Sequence, residues 1–337
     1  METAPSDRTT RAQTLVQEKI VSDKTKKQHF VPQFLLRNFT NESGKLWVYD
    51  KSEDRSFPSG TQGIACDGYF YDDETVTHVT GEDQFVEKAL AAAEGKWSAT
   101  LSSALDRIRA AKNTNLINLT GEERSCMSEM MAVQMIRTPL VRQTNTHMKD
   151  AMVRVLKRAS GEAAISDEQL PEEFRDFDAK KFHIISMLGH ESVATYQGIF
   201  AGHIWNFLRA AGHGRFYTSD HPVSRRPHVT GGWMSHSGIG SKGIEISFPI
   251  AHDVCLQMYD REHFSHMQFL EGTANDALKE DMLLYYNAMQ VESSHRFLYS
   301  IDNDFSHAEQ VCNDIPELRN PDRNKVIVTG DEDYTKG

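Results

Sequence analysis

Histidine, glutamine and arginine recur at four-residue steps in His29, Gln33 and Arg37. On a helix that spacing puts all three on one face, opposite Phe34 and Leu35. A proton-shuttling histidine beside an amide and a guanidinium suits proton transfer or recognition of an anion. The same pattern also describes a polar helix face that meets solvent or a partner carboxylate. Glu87 and Glu94 lie two helical turns apart, on one stripe near Ala91 and Trp97. Two such carboxylates either hold a divalent cation, pair with arginines of a neighbouring helix, or are plain surface charge. Gln134 and Arg137 close an apolar run that holds Met127, Met130, Met131 and Met135. An arginine there points inward and needs a carboxylate, because an uncompensated buried charge is costly; Glu87 or Glu94 is the natural partner. Finally, Ser219-Asp220-His221-Pro222 follows a strand-like run. Asp220 is either a metal ligand or general base there, or the cap of the turn before Pro222.

The common catalytic and phosphate-binding fingerprints are missing. Gly238-Ile239-Gly240-Ser241-Lys242-Gly243 has neither the spacing of a phosphate loop nor a preceding apolar strand. There is no His-Glu-x-x-His, no Gly-x-Ser-x-Gly and no deaminase-type pairing of His-x-Glu with Pro-Cys-x-x-Cys. His263 and His266 share a helical face but have no third metal ligand nearby, so they read as an exposed pair.

Periodicity then shows which elements must hold these residues. Pro32 suits the first turn of a short helix carrying Phe34, Leu35 and Phe39. Lys45–Asp50 alternates as a strand, and residues 56–80 read as loop with short strands around Tyr69–Tyr71. A long helix starts near Glu82, with Phe85, Leu101, Leu105 and Ile108 among its apolar positions. Thr120 and Glu123 form a capping box ahead of the methionine helix, which Pro139 kinks or ends at Thr138. Another helix is expected near 146–159, and one or two more over 179–211. Strands are expected at Arg215–Asp220, Ile244–Pro249, Val254–Tyr259 and Arg296–Ser300, with a long loop over 224–243 and a helix at about 274–292. This order predicts an α+β fold: a long-helix core with a small mixed or antiparallel sheet formed by N-terminal and C-terminal strands. The expected organisation is a flexible arm over 1–27, a single domain over 28–305 and a C-terminal extension over 306–337.

The 337 residues are 39% apolar, which excludes a disordered chain, a collagen-like chain and a membrane bundle. With 37 Lys and Arg against 48 Asp and Glu, the formal charge is −11. That balance argues against a protein coated in basic charge for gripping nucleic acid, but leaves room for a local basic groove. Four scattered cysteines (Cys66, Cys126, Cys255, Cys312) make no Cys-x-x-Cys pair, so reduced thiols are expected. No signal peptide or membrane-length apolar run is visible, and a soluble, cytoplasmic protein is expected.

The same residues resemble a known pattern. His29-x-x-Pro32-Gln33-x-x-Leu36-Arg37-x-Phe39, Val48-Tyr49-Asp50, the Glu87/Glu94 helix, Gln134-x-x-Arg137-x-Pro139, Thr218-Ser219-Asp220-His221-Pro222-Val223, and Asn287 with Arg296 resemble domain of unknown function 4238 (DUF4238). In this bacterial and phage-associated family Asn usually stands where His221 does. The resemblance spans about 28–300 and implies that its polar signature residues form one site. It supplies no reaction. On this footing His29, Glu87, Glu94 and Asp220 are the catalytic candidates, with Glu94 and Asp220 as a divalent-metal pair. Gln33, Arg37, Gln134, Arg137, Asn287 and Arg296 are the substrate-binding candidates. Carboxylates, a histidine and arginines together suit a metal-assisted hydrolase or transferase acting on a phosphate-containing substrate, a nucleic acid or nucleotide, in bacterial or phage conflict. The competing expectation is a non-enzymatic binding or regulatory module in which these residues form a structural Arg–Glu network.

Overall fold

The computed structural model describes residues 24–159, 166–229, 237–277 and 279–323. The expected arm up to residue 23, the glycine-containing stretch 230–236 and the end of the chain after 323 lie outside these residues.

Among the described residues, the chain opens with strand β1 (Lys27–His29) and a short helix α1 (Gln33–Leu36), followed by a single tight turn over Arg37–Phe39. Strands β2 (Lys45–Asp50), β3 (Arg55–Gly60) and β4 (Cys66–Gly68) come next. Helix α2 (Glu74–Thr80) leads into α3 (Phe85–Ala110), which buries Val86, Leu90, Trp97, Leu101, Leu105 and Ile108 along one stripe. Burying each large apolar side chain contributes about 1.5–3 kcal/mol, so tertiary packing, more than propensity, holds this long helix. After the short strand β5 (Asn115–Leu116), helix α4 (Gly121–Ile136) starts at the expected box: Thr120 Oγ1 accepts from the Glu123 amide at 3.1 Å, and the Glu123 carboxylate accepts from the Thr120 amide at 2.8 Å. Helix α4 stops at Ile136, and Pro139 opens α5 (Pro139–Ala159), seven residues earlier than the periodicity suggested.

Helices α6 (Glu172–Arg175), α7 (Ala179–Leu188) and α8 (His190–Gly202) follow. Strand β6 (Ile204–Ala210) then replaces the helix expected to run on to residue 211. The remaining elements are β7 (Thr218–Ser219), β8 (Ser224–Pro227), β9 (Ile244–Ala251), β10 (Val254–Tyr259), β11 (Thr273–Ala277), α9 (Glu280–Ser293), β12 (Phe297–Ser300) and α10 (Ser306–Asp314).

The fold is α+β, but the small terminal sheet needs correction. Six strands in the order β5-β11-β6-β10-β9-β8 make the largest sheet, and most come from the middle and later part of the chain. Only the four-stranded sheet, β3-β2-β12-β7, joins N-terminal to C-terminal strands as expected. A third sheet pairs β1 with β4. The six-stranded sheet is covered on both faces. Trp205, Phe207, Leu256 and Met258 pack into the main core with the α3 and α4 side chains. Leu208 and Cys255, of opposite parity on the same strands, pack against Tyr286 and Met289 of α9. Two-sided burial explains why β9 and β10 read as nearly unbroken apolar runs. Helix α10 buries Ala308 and Cys312 against Tyr49 and Tyr217. All four cysteines are free, and no helix among the described residues is long and apolar enough to cross a membrane.

Candidate functional site

His29 ends β1, where its backbone pairs with Cys66 of β4. The chain then turns through Val31 and Pro32, and α1 begins at Gln33. Helix α3 lies against this segment and presents Glu87, Ala91, Glu94, Gly95 and Ser98, which share one face by helical spacing. Arg137 arrives from the end of α4. Between them is a cavity of about 350 Å³ lined by His29, Gln33, Arg37, Glu87, Glu94 and Arg137, together with Phe34, Leu90, Ala91, Gly95 and Ser98. Six of the ten sequence candidates therefore meet. The reason differs from the one first read: His29 belongs to a strand, not to the helix of Gln33, so β-pairing delivers it instead of a common helical face.

Arg137 is buried and nearly saturated. Its guanidinium donates to Glu94 Oε1 at 2.9 Å, to the His29 carbonyl, and through Nε to the Tyr71 hydroxyl at 3.2 Å. Tyr71 in turn donates to the carbonyls of His29 and Arg137 at 3.2 and 3.3 Å. Glu94 thus supplies the carboxylate that a buried arginine requires.

The other polar groups are less occupied. His29 Nε2 lies 3.1 Å from the Thr61 carbonyl, which can only accept, so Nε2 carries the hydrogen and Nδ1 keeps its lone pair. Burial lowers the His29 pKa below the ordinary imidazole value; Arg137 and Lys27 add to this, and the Thr61 bond and Glu94 oppose it. Burial pushes Glu87 up to about 7, with Glu94 and Asp72 adding to the shift and Arg137 opposing it. Gln33 lines the cavity; its Oε1 accepts from Thr61 Oγ1 at 3.3 Å, and its amide NH2 makes no hydrogen bond among the described residues. Arg37 is exposed and makes no ion pair among the described residues.

Four candidates stand elsewhere. Asp220 spends its carboxylate on the backbone amides of His295, Arg296 and Phe297, at 2.7, 2.7 and 2.8 Å. Arg296 forms a two-pronged pair with Asp50 at 2.9 and 2.6 Å. Asn287 bridges backbone groups of Tyr217 and Arg215. Gln134 is buried and donates to the Phe30 carbonyl at 2.9 Å. The expected metal pair of Glu94 and Asp220 is therefore not formed, since each carboxylate already serves a different partner. Among the described residues no group of three His, Cys, Asp or Glu side chains could hold a metal ion. His263 and His266 likewise belong to no such group. His221, where the resemblance departs, pairs its Nδ1 with Thr138 Oγ1 at 2.7 Å.

Sequence reasoning missed Tyr71, Thr61 and Ser98. Tyr71 and Thr61 sit in the irregular stretch after β3, where no periodicity marks them. Ser98 was detectable, since it lies one helical turn beyond Glu94 on the same face.

No curated protein and no solved structure matches the chain. Residues 27–304 match the family described as protein of unknown function (DUF4238). With the match spanning most of its length, the chain belongs to the DUF4238 family.

Proposed function

We propose that this cavity is an acid–base active site acting on a phosphate-containing substrate, as a hydrolase or transferase. The observation that carries the reading is two proton-active groups, His29 and Glu87, lining one cavity with Arg37, which has no ion pair among the described residues. With the His29 pKa lowered and that of Glu87 near 7, the imidazole is the base at neutral pH and the carboxyl is the acid. Arg37 and the Gln33 amide supply donors for phosphate oxygens.

The structural-network reading is favoured at Arg137, whose donors are consumed by Glu94, His29 and Tyr71. The two readings thus divide the cavity: Arg137, Glu94 and Tyr71 brace it, and His29, Glu87, Gln33 and Arg37 act in it.

Release of 4-nitrophenolate from 2-hydroxypropyl 4-nitrophenyl phosphate, a phosphodiester with a hydroxyl of its own, tests the proposal. His29→Ala and Glu87→Gln are each expected to lower the rate by roughly 10²-fold or more while leaving a cooperative melt. No release by the unaltered chain, or full rates in both variants, overturns it.

A further inference from the structure

We infer that the substrate is a phosphodiester with a free hydroxyl beside the scissile phosphate, as RNA carries at its ribose 2′ position, and that the cavity cleaves it by transphosphorylation. The inference rests on the acid–base reading above and narrows it.

Charge is the first support. When Glu87 holds its proton, the two guanidiniums of Arg37 and Arg137 against the Glu94 carboxylate leave the cavity one net positive charge. A phosphodiester carries one negative charge and balances it; a phosphomonoester near neutral pH carries close to two.

The missing nucleophile is the second. Ser98 is the one hydroxyl side chain among the lining residues, and His29 bonds to the Thr61 carbonyl and not to Ser98. The Nδ1 lone pair therefore has no protein nucleophile bonded to it among the described residues, which leaves a hydroxyl of the substrate or a water molecule. Of these two, a hydroxyl carried by the substrate gains the large advantage of intramolecular attack. The third support is the donor pair: Gln33 and Arg37, one helical turn apart, are placed to hold the two non-bridging oxygens as charge builds on them.

The step balances without an oxidant or a co-reactant. The 2′ oxygen bonds to phosphorus as its proton passes to His29 Nδ1. The bond from phosphorus to the 5′ oxygen breaks as that oxygen takes the proton of Glu87. The products are a 2′,3′-cyclic phosphate and a 5′-hydroxyl, and solvent returns the proton from His29 to Glu87.

The full chain is incubated in EDTA with a random-sequence RNA oligonucleotide, with its DNA counterpart, and with an RNA carrying one 2′-deoxy position. The expected result is RNA fragments ending in 2′,3′-cyclic phosphate by mass spectrometry, intact DNA, and no cut at the deoxy position. His29→Ala and Glu87→Gln slow RNA cleavage by roughly 10²-fold or more. Cleavage of DNA at the same rate, RNA products bearing 5′-phosphates, or intact RNA alongside turnover of 2-hydroxypropyl 4-nitrophenyl phosphate overturns the inference and leaves the acid–base reading standing. Failure to cleave both RNA and 2-hydroxypropyl 4-nitrophenyl phosphate overturns the two together.

Discussion

At neutral pH about half of the Glu87 carboxyls keep a proton that a glutamate in water has lost, while the His29 imidazole keeps its lone pair free. Burial drives both shifts, because it disfavours the charged form of either group. Glu87 then leaves a mark on stability. Its pKa rises from 4.5 to about 7 on folding, so its neutral form favours the folded state. That contribution is fully present below pH 4.5 and is lost as pH rises through about 7. Thermal melts of wild type and Glu87→Gln should therefore diverge across this window. The wild type loses melting temperature relative to the variant between pH 5 and pH 8, and a constant difference contradicts the assignment. Of this residue-scale chemistry the sequence shows only the identities. The tautomer of His29 depends on the Thr61 carbonyl, which no spacing rule links to it.

Helix α3 and helix α4 are clasped where Glu94 meets Arg137, and the clasp also fixes the His29 backbone. A second clasp, at Asp220, ties the end of β7 to the start of β12 through three backbone amides. Breaking a buried ion pair, or stripping a carboxylate from buried amides, costs about 3 kcal/mol. Arg137→Met and Asp220→Ala are accordingly expected to lower unfolding free energy by about that amount in urea melts. Asp220→Ala should do so with its effect on turnover no larger than its loss of folded protein. If Asp220→Ala melts like wild type, the clasp is misread. Local elements were legible: the Thr120–Glu123 box needs only four residues, and the α4 stop at Pro139 needs only the missing amide. Strand β6 was not legible. Ile204-Trp205-Asn206-Phe207-Leu208 is buried on both sides, so it loses the alternation that marks a half-exposed strand and resembles a continuation of α8. Asp220 shows the same limit in the site, because its partners lie some 75 residues further on and were invisible to a local reading.

Across the whole molecule acids outnumber bases, 48 to 37, yet the cavity gathers two arginines around a lone pair of glutamates. Net charge therefore speaks about the surface at large and not about the site. The central claim is that this cavity works on a ligand and does not merely brace the fold. Gly95 separates the two. It lines the cavity from α3, and a Cβ built there meets nothing within 4 Å. Replacing a helical glycine with leucine favours the helix by about 0.8 kcal/mol, and the new side chain occupies the space a ligand needs. The measurement is turnover of 2-hydroxypropyl 4-nitrophenyl phosphate by Gly95→Leu, read beside its melting temperature. The account predicts a melting temperature equal to or above wild type with turnover reduced by about tenfold or more. An unchanged melt with unchanged turnover contradicts it.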